Sequence, residues 1–349
     1  MKNMLVTGGC GFIGANFIRF LLNESDYTGR IINVDNLTYA GNPENLADIE
    51  IDYPEQYIFF RADICDGALM TKIFADYQID SICHFAAESH VDRSIVKPDA
   101  FIQTNIVGTF SLLEAARLQL DHMIRFHHIS TDEVYGSLDK GGYFSETTPY
   151  KPNSPYSASK ASSDHLVRAY HKTYNLPMTI SNCSNNYGPY QFPEKLVPLI
   201  ILNALEGKSL PVYGDGGNVR DWLYVRDHCT AIWKIMKLGK NGETYNIGGN
   251  SEMENIKLVE MICDILDEKN KLPNNRSRRD LITFVKDRPG HDRRYAIDFG
   301  KLNRELSWHP EASLETGIRD TIKWYMENQK WVERVKSGEY QTWIKTHYC

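Results

Sequence analysis

The chain has 349 residues and a formal net charge of −6, with 42% of its residues hydrophobic and 24% charged. These values suit one or two globular domains and exclude collagen-like, disordered and disulfide-scaffold chains. No stretch approaches the roughly 18 apolar residues of a membrane-spanning helix, and the acidic balance leaves no general nucleic-acid-binding surface.

Met4–Val6 reads as a first buried strand. It runs into Gly8-Gly-Cys-Gly11-Phe-Ile-Gly14, which opens an amphipathic helix over Ile13–Leu22. Glycines at such a junction let the backbone turn tightly and approach a pyrophosphate held at the helix N-terminus. The spacing here is G-x-x-G-x-x-G. A turn this early also stands where a signal peptide carries its apolar core, so a cytoplasmic location is expected. Ile31–Val34 reads as the second strand, closed by Asp35, twenty-one residues beyond Gly14. A carboxylate there accepts hydrogen bonds from ribose hydroxyls. It repels a 2′-phosphate, and no Lys or Arg lies between Val34 and Glu44 to welcome one. The expected cofactor is therefore NAD. Tyr57–Phe60 is the third strand, and Asp63 and Ile64 beyond it are placed to meet the adenine.

Strands over Ser81–Phe85, Ile124–Ile129 and Met178–Ile180 continue the series, with helices over Ala68–Tyr77 and Asp99–Arg117 between them. Strand–helix alternation of this kind predicts an α/β fold with a doubly wound parallel sheet of Rossmann type. After residue 183 turn-rich segments break the pattern (185–193, 214–218, 248–251). Residues 1–183, with a crossing segment near 219–247, are expected to form the dinucleotide-binding domain. Residues 184–218 and 248–349 are expected to form a smaller, substrate-facing one. The run Lys269–Arg279 reads as a solvated loop, and Arg276, Arg278 and Arg279 as surface. Seven scattered cysteines without a C-x-x-C pair, and no H-E-x-x-H, predict reduced thiols and no metal site.

Two segments carry chemistry. Ser130-Thr131-Asp132-Glu133 ends the fifth strand, where open α/β sheets place their ligands. Adjacent carboxylates on a regular strand point to opposite faces, so both reach one site only if the backbone turns there. Otherwise Asp132 caps a helical turn and Glu133 faces solvent. Asn153-Ser154-Pro155-Tyr156-Ser-Ala-Ser-Lys160 reads as a helix start with Ser154 as N-cap and Pro155 in the first position. Tyr156 and Lys160, four apart, share a face. A phenol becomes a base at neutral pH only with roughly 4 kcal/mol of preferential stabilisation of the phenolate, which a neighbouring ammonium and a positive nicotinamide ring supply. The plain alternative is a surface tyrosine beside a solvated lysine.

The Thr7–Gly14 turn with Tyr156 and Lys160 resembles the extended short-chain dehydrogenase/reductase superfamily, whose members act largely on nucleotide sugars. Within it, Thr131-Asp-Glu-Val-Tyr-Gly136 is similar to the signature of the dTDP-glucose 4,6-dehydratase family, whereas related epimerases usually carry small residues at the Asp-Glu position. Segments 86–94, 182–189, 191–196, 218–225 and 287–295 agree, while Cys10 and Arg226 depart from the pattern. The resemblance implies that Tyr156 takes the O4 proton as C4 is oxidised, with Lys160 lowering its pKa and holding the nicotinamide ribose. Glu133 then removes the C5 proton, protonated Asp132 serves the departing C6 hydroxyl, and Thr131 hydrogen-bonds O4. It further assigns Phe12, Ile13, Asn36, Thr38, Phe85, Ala86, Ala87, Ser89, Thr104 and Asn186 to NAD. For the substrate, dTDP-glucose, it assigns Ser89, Asn185, Lys195, Leu196, the backbone of Pro211, Val212 and Tyr213, and Asn255, Asp287 and His291. Arg220 and Arg288 are expected at the diphosphate, whose geometry favours Arg over Lys. The resemblance also implies a homodimer through the helices around Asp99–Arg117 and Ser154–Tyr174, and a deoxysugar such as rhamnose as the destination. Two rivals stand: a 4-epimerase or decarboxylase using Tyr156 and NAD without the carboxylate pair, and a non-catalytic dinucleotide-binding regulator.

Overall fold

Met4 and Val6 pack into one face of a sheet and Leu5 into the other, all three fully buried, as a strand covered on both sides requires. They belong to β1 (Asn3–Thr7) of a computed structural model that describes residues 1–138, 141–287 and 291–338. Among the described residues β1 is joined by β2 (Arg30–Asp35), β3 (Tyr57–Arg61), β4 (Ser81–His84), β5 (Arg125–Thr131), β6 (Met178–Cys183) and β7 (Thr244–Ile247). The order is β3-β2-β1-β4-β5-β6-β7, with every pair parallel. The chain winds outward to β3 and then returns to β4. That reversal opens a crevice over the C-terminal ends of β1 and β4, where ligands bind in such sheets.

The helices used below are α1 (Phe12–Asn23), α2 (Gly67–Asp76), α3 (Thr109–Leu118), α4 (Pro155–Tyr174), α5 (Leu196–Leu205), α6 (Val225–Leu238), α7 (Asn255–Lys269), α8 (Leu314–Glu327) and α9 (Gln329–Lys336). α1 and α6 cover one face of the sheet; α2, α3 and α4 cover the other. A second core joins α5, α7, α8 and α9. Beside it lie a three-stranded sheet (Asn185–Tyr187, Val219–Tyr224, Glu252–Glu254) and a two-stranded one (Leu210–Tyr213 with Ile282–Val285). Val219–Tyr224, at the head of the expected crossing segment, thus pairs outside the main sheet, while α6 and β7 belong to it. No helix among the described residues is long and apolar enough to cross a membrane.

Three expectations need correction. The helix expected over Asp99–Arg117 is interrupted by a π-helical turn at Ile102–Gly108. The widened turn accompanies an inward Asn105, 1% exposed, whose amide donates to Ser159 Oγ at 2.8 Å and to the Glu88 carbonyl at 3.0 Å. Such bulges recur at functional sites, and this one carries Thr104 onto the wall of the crevice. Second, β5 runs Arg125–Thr131, with Ile124 left exposed. Third, Arg278 is buried rather than solvated. Its guanidinium pairs with Asp267 at 2.7 Å and caps the Ala204 carbonyl of α5 at 3.1 Å, tying α5 to α7. Arg276 and Arg279 lie at the surface as expected.

Candidate active site

Gly8 has φ +71 and donates its N–H to Val34 O at 2.8 Å; its carbonyl accepts the Gly11 N–H at 3.1 Å. A Cβ on Gly8 would stand 2.7 Å from the Ala86 backbone, and one on Gly14 would stand 2.3 Å from Gly8 O. Neither position admits a side chain, so the turn is closed by glycine at both ends. Gly11 is the N-cap of α1 and gives no side-chain cap, and no acidic residue stands in the first turn. The leading N–H groups of α1 therefore meet a cavity wall of bare backbone suited to an anion. Every residue expected to contact the cofactor lines this cavity, from Gly8 through Asn186.

Asp35 closes β2 and does more than the spacing implied. Its carboxylate accepts the Cys10 N–H at 2.9 Å and the Leu37 N–H at 2.8 Å, fastening the glycine turn to the strand end. Burial pushes this carboxyl up, and the two N–H donors work against that. Asn36 donates to Asp63 Oδ2 at 3.2 Å, joining two residues of the cavity wall expected to contact the cofactor.

At the end of β5 the chain enters a single 3₁₀ turn, Asp132–Tyr135. Thr131 Oγ1 caps it by accepting the Glu133 N–H at 3.3 Å. The turn takes the two carboxylates off the alternating geometry of a strand, and both line the cavity. Asp132 is 2% exposed and its Oδ2 has no hydrogen-bond partner. Burial, then the charges of Glu133 and Asp221, push its carboxyl well above the usual range, which favours the protonated form.

Ser154 Oγ accepts the Ser157 N–H at 3.1 Å and Ser157 Oγ accepts the Ser154 N–H at 3.0 Å. This capping box, with Pro155 in the first turn, starts α4 and sets Tyr156 and Lys160 on its inner face. Burial and the charge of Glu133 push the Tyr156 phenol up, while a hydrogen bond with Thr131 works the other way. Lys160 Nζ donates to the Ile129 carbonyl at 2.8 Å. Burial pushes its ammonium down to about 8, opposed by Asp164. Nζ also lies 3.5 Å from His128 Nε2, which is 3.2 Å from Asp164 Oδ1.

Of the expected substrate residues, Ser89, Thr131, Asn185 and Lys195 share the cavity. Asn186 is oriented by His228, whose Nδ1 is 2.9 Å from the amide oxygen. Burial pushes that imidazole down to about 3, so it is neutral and donates. The rest of the set, as far as it is described, lies outside the cavity wall. Leu196 begins α5, and Val212 buries its side chain in the second core. Tyr213 donates to Asp92 at 3.3 Å and packs edge-on to His291, which pairs with Asp287 at 2.6 Å. Pro211 sits on the strand beside them, and Asn255 opens α7 with its N–H on Asn218 O. Arg220 is buried; its guanidinium donates to the Val219 and Asp292 carbonyls at 2.8 and 2.9 Å and lies 4.3 Å over the Tyr295 ring. Arg288 lies outside the described residues.

The sequence reading missed Tyr39, Gln191 and Glu194, which also line the cavity. Glu194 is 3% exposed with His90 Nε2 3.7 Å from its carboxylate, and Arg93 stacks 3.7 Å over the Tyr39 ring. The available signal was a carboxylate one residue before Lys195 in an otherwise apolar segment.

A family profile described as GDP-mannose 4,6 dehydratase matches residues 5–321. The chain is 57% identical to dTDP-glucose 4,6-dehydratase 1 of Escherichia coli K12, over 99% of this chain and 98% of that one. Among solved structures, dTDP-glucose 4,6-dehydratase of Streptomyces venezuelae, crystallised with NAD, superposes with a TM-score of 0.89 at 45% identity, covering 96% of this chain and all of that one. UDP-glucose 4-epimerase of Thermotoga maritima superposes with a TM-score of 0.83 at 30% identity, over 94% and 100% of the two chains.

Proposed function

The chain belongs to the GDP-mannose 4,6 dehydratase family, and from that premise we propose that it dehydrates dTDP-glucose to dTDP-4-keto-6-deoxyglucose with NAD as resident cofactor. One observation carries the choice within the family's fold: the 3₁₀ turn delivers both Asp132 and Glu133 to the cavity that holds Tyr156 and Lys160. A 4-epimerase or decarboxylase has no use for that pair, and a regulator has no use for an intact catalytic set.

The residues present fit NAD. The glycine turn leaves no room for side chains where a pyrophosphate approaches, Asp35 lines the ribose end, and no Lys or Arg lies between Val34 and Glu44 to meet a 2′-phosphate. When bound, NAD accepts the hydride from C4 and returns it to C6. Removing water from C5–C6 of glucose means taking an unactivated C–H proton, and a ketone at C4 makes that proton acidic. Tyr156 takes the O4 proton with Thr131 hydrogen-bonding the same oxygen. Lys160, held by Ile129 O, supplies the positive charge that favours the phenolate. Glu133 takes the C5 proton. Asp132, whose carboxyl burial and Glu133 push toward the protonated form, gives its proton to the C6 hydroxyl, which leaves as water. A carboxyl pair in opposite protonation states is what elimination needs. Glu133 returns the proton to C5, and the O4 proton gained by Tyr156 passes through solvent to the Asp132 carboxylate, so the enzyme ends as it began.

Lys195, Asn185 and Ser89 support a sugar end of the site inside the cavity, and Tyr213, Asp287, His291 and Arg220 a nucleotide end beyond it. We read residues 1–183 with the α6–β7 crossing as the NAD-binding domain, and the second core as the sugar-nucleotide-binding one. Homodimer formation is supported by the exposed apolar side chains Ile95, Val96, Ile102, Val107 and Phe110 on the π turn and its flanking helices. Free, mostly buried cysteines fit a reducing, cytoplasmic setting. The reaction is tested by mass spectrometry after incubating the protein with NAD and dTDP-glucose. Loss of one water without net NADH is the expected result. Unchanged mass with inversion at C4 establishes the epimerase instead.

A further inference from the structure

The peptide of Cys10 lies inside the glycine turn and is held on both sides. Its N–H donates to Asp35. Its carbonyl accepts the Asn42 N–H at 3.0 Å and the Asn45 amide N–H at 2.9 Å. Asn45 is buried, and its Oδ1 accepts the indole N–H of Trp331 at 2.7 Å. Trp331 stands on α9, 286 residues along the chain from Asn45, and does not line the cavity. Two side-chain hydrogen bonds thus run from α9 to the turn that meets the pyrophosphate. Other contacts join the same parts. Arg334 of α9 pairs with Glu44 at 2.8 Å. Tyr190 packs edge-on to Trp331 at 6.0 Å and carries the Arg19 guanidinium of α1 5.0 Å over its ring.

We propose that Trp331 and Asn45 are positioning residues for cofactor retention: through them α9 holds the Gly8–Gly14 turn in its binding geometry and so sets how long NAD stays. This deepens, and rests on, the dinucleotide reading above. Asn45 serves Cys10 O only while its amide faces that way, and the Trp331 donor is what fixes the facing. Without the indole N–H, a buried acceptor is left unpaired, and the amide either rotates or the turn loosens. A preformed turn is worth more to a ligand than one ordered on binding. The reaction regenerates NAD within each cycle, so release is off the catalytic path and residence time can change without changing turnover.

Trp331→Phe tests this, since it deletes the donor while keeping a smaller aromatic ring against Tyr190 and Trp324. Holoenzyme carrying labelled NAD is diluted into excess unlabelled NAD and label release is followed. Release is expected to quicken about tenfold or more, the effect of one buried acceptor left unpaired, with kcat at saturating NAD and KM for dTDP-glucose within about twofold. Unchanged release, or release that quickens only as KM and kcat fail with it, overturns the proposal. If the variant does not fold, unmodified enzyme decides the matter, because coupling is reciprocal. NAD must then slow amide hydrogen exchange in α9. Slowing confined to the glycine turn overturns the proposal. An unmodified chain that takes up no NAD would instead overturn the dinucleotide reading, which is a separate result.

Discussion

The Thr131 hydroxyl accepts the backbone N–H of Glu133 at 3.3 Å, and at this contact β5 stops being a strand. Had β5 run on, Asp132 and Glu133 would face opposite sides of the sheet. The cap instead turns the backbone, with Asp132 buried and Glu133 half-buried in one cavity beside Tyr156. Glu133→Gln separates the steps this geometry joins. The variant is expected to reduce bound NAD with dTDP-glucose, since Tyr156 and Lys160 are untouched. It should release product at least about a hundredfold more slowly for want of a base. Nicotinamide absorbance in a single turnover should rise and stay high. Normal turnover removes Glu133 from the chemistry.

Asp132→Asn should lower kcat by about 10²- to 10⁴-fold, because the amide has no proton to give. Its stability moves the other way. The folded carboxyl of Asp132 is raised above the usual value near 4 by burial and by Glu133. Its contribution is fully present below that value and is lost as pH rises through the folded one. The variant lacks this loss. It should gain on the parent by about 1.4 kcal/mol per unit of pH within that window and match it in acid. Urea titrations of both proteins at about pH 4 and pH 8 read the difference. A gap that does not widen with pH means Asp132 ionises freely.

Gly14→Ala should abolish measurable NAD binding and destabilise the fold, although alanine favours the helix that Gly14 sits in. The added Cβ would meet Gly8 O at 2.3 Å and Gly9 Cα at 2.8 Å, both backbone atoms of the turn itself. Something must move, and what moves is the cradle. Titration calorimetry with NAD measures this directly. Binding within about twofold of the parent means the turn is not the pyrophosphate site.

Phe110→Glu places a charge in the exposed apolar strip beside Val107 and Ile102. If this strip is the subunit contact, sedimentation should show a dimer in the parent and a monomer in the variant, since an unpaired charge buried at an interface costs several kcal/mol. Two dimers with equal dissociation constants place the contact elsewhere.

Much of the site was legible because its signals are local. The glycine turn, the Asp35 carboxylate closing β2, the Ser154 cap and the Tyr156/Lys160 face are each set within a few residues by sterics, capping or helical period. The readings that needed correction share the opposite property. Residues around Asn105 have a continuous helical pattern, yet the π turn answers to a hydrogen bond with Ser159, far along the chain. Arg278 sits in a polar run and is buried because Asp267 and the end of α5 close around it.

The chain's own sequence therefore determined the parallel sheet, the dinucleotide turn and the identity of the chemical groups, because period, cap and spacing act over one or two turns of backbone. Only the tertiary structure decided which side of the backbone those groups serve. The burial of Asp132, the Glu194 and Tyr39 walls, and the reach of Trp331 to Asn45 depend on loops closing over tens to hundreds of residues. Closure of that kind costs entropy that grows only slowly with length, so it leaves no period or spacing in the chain from which to read it.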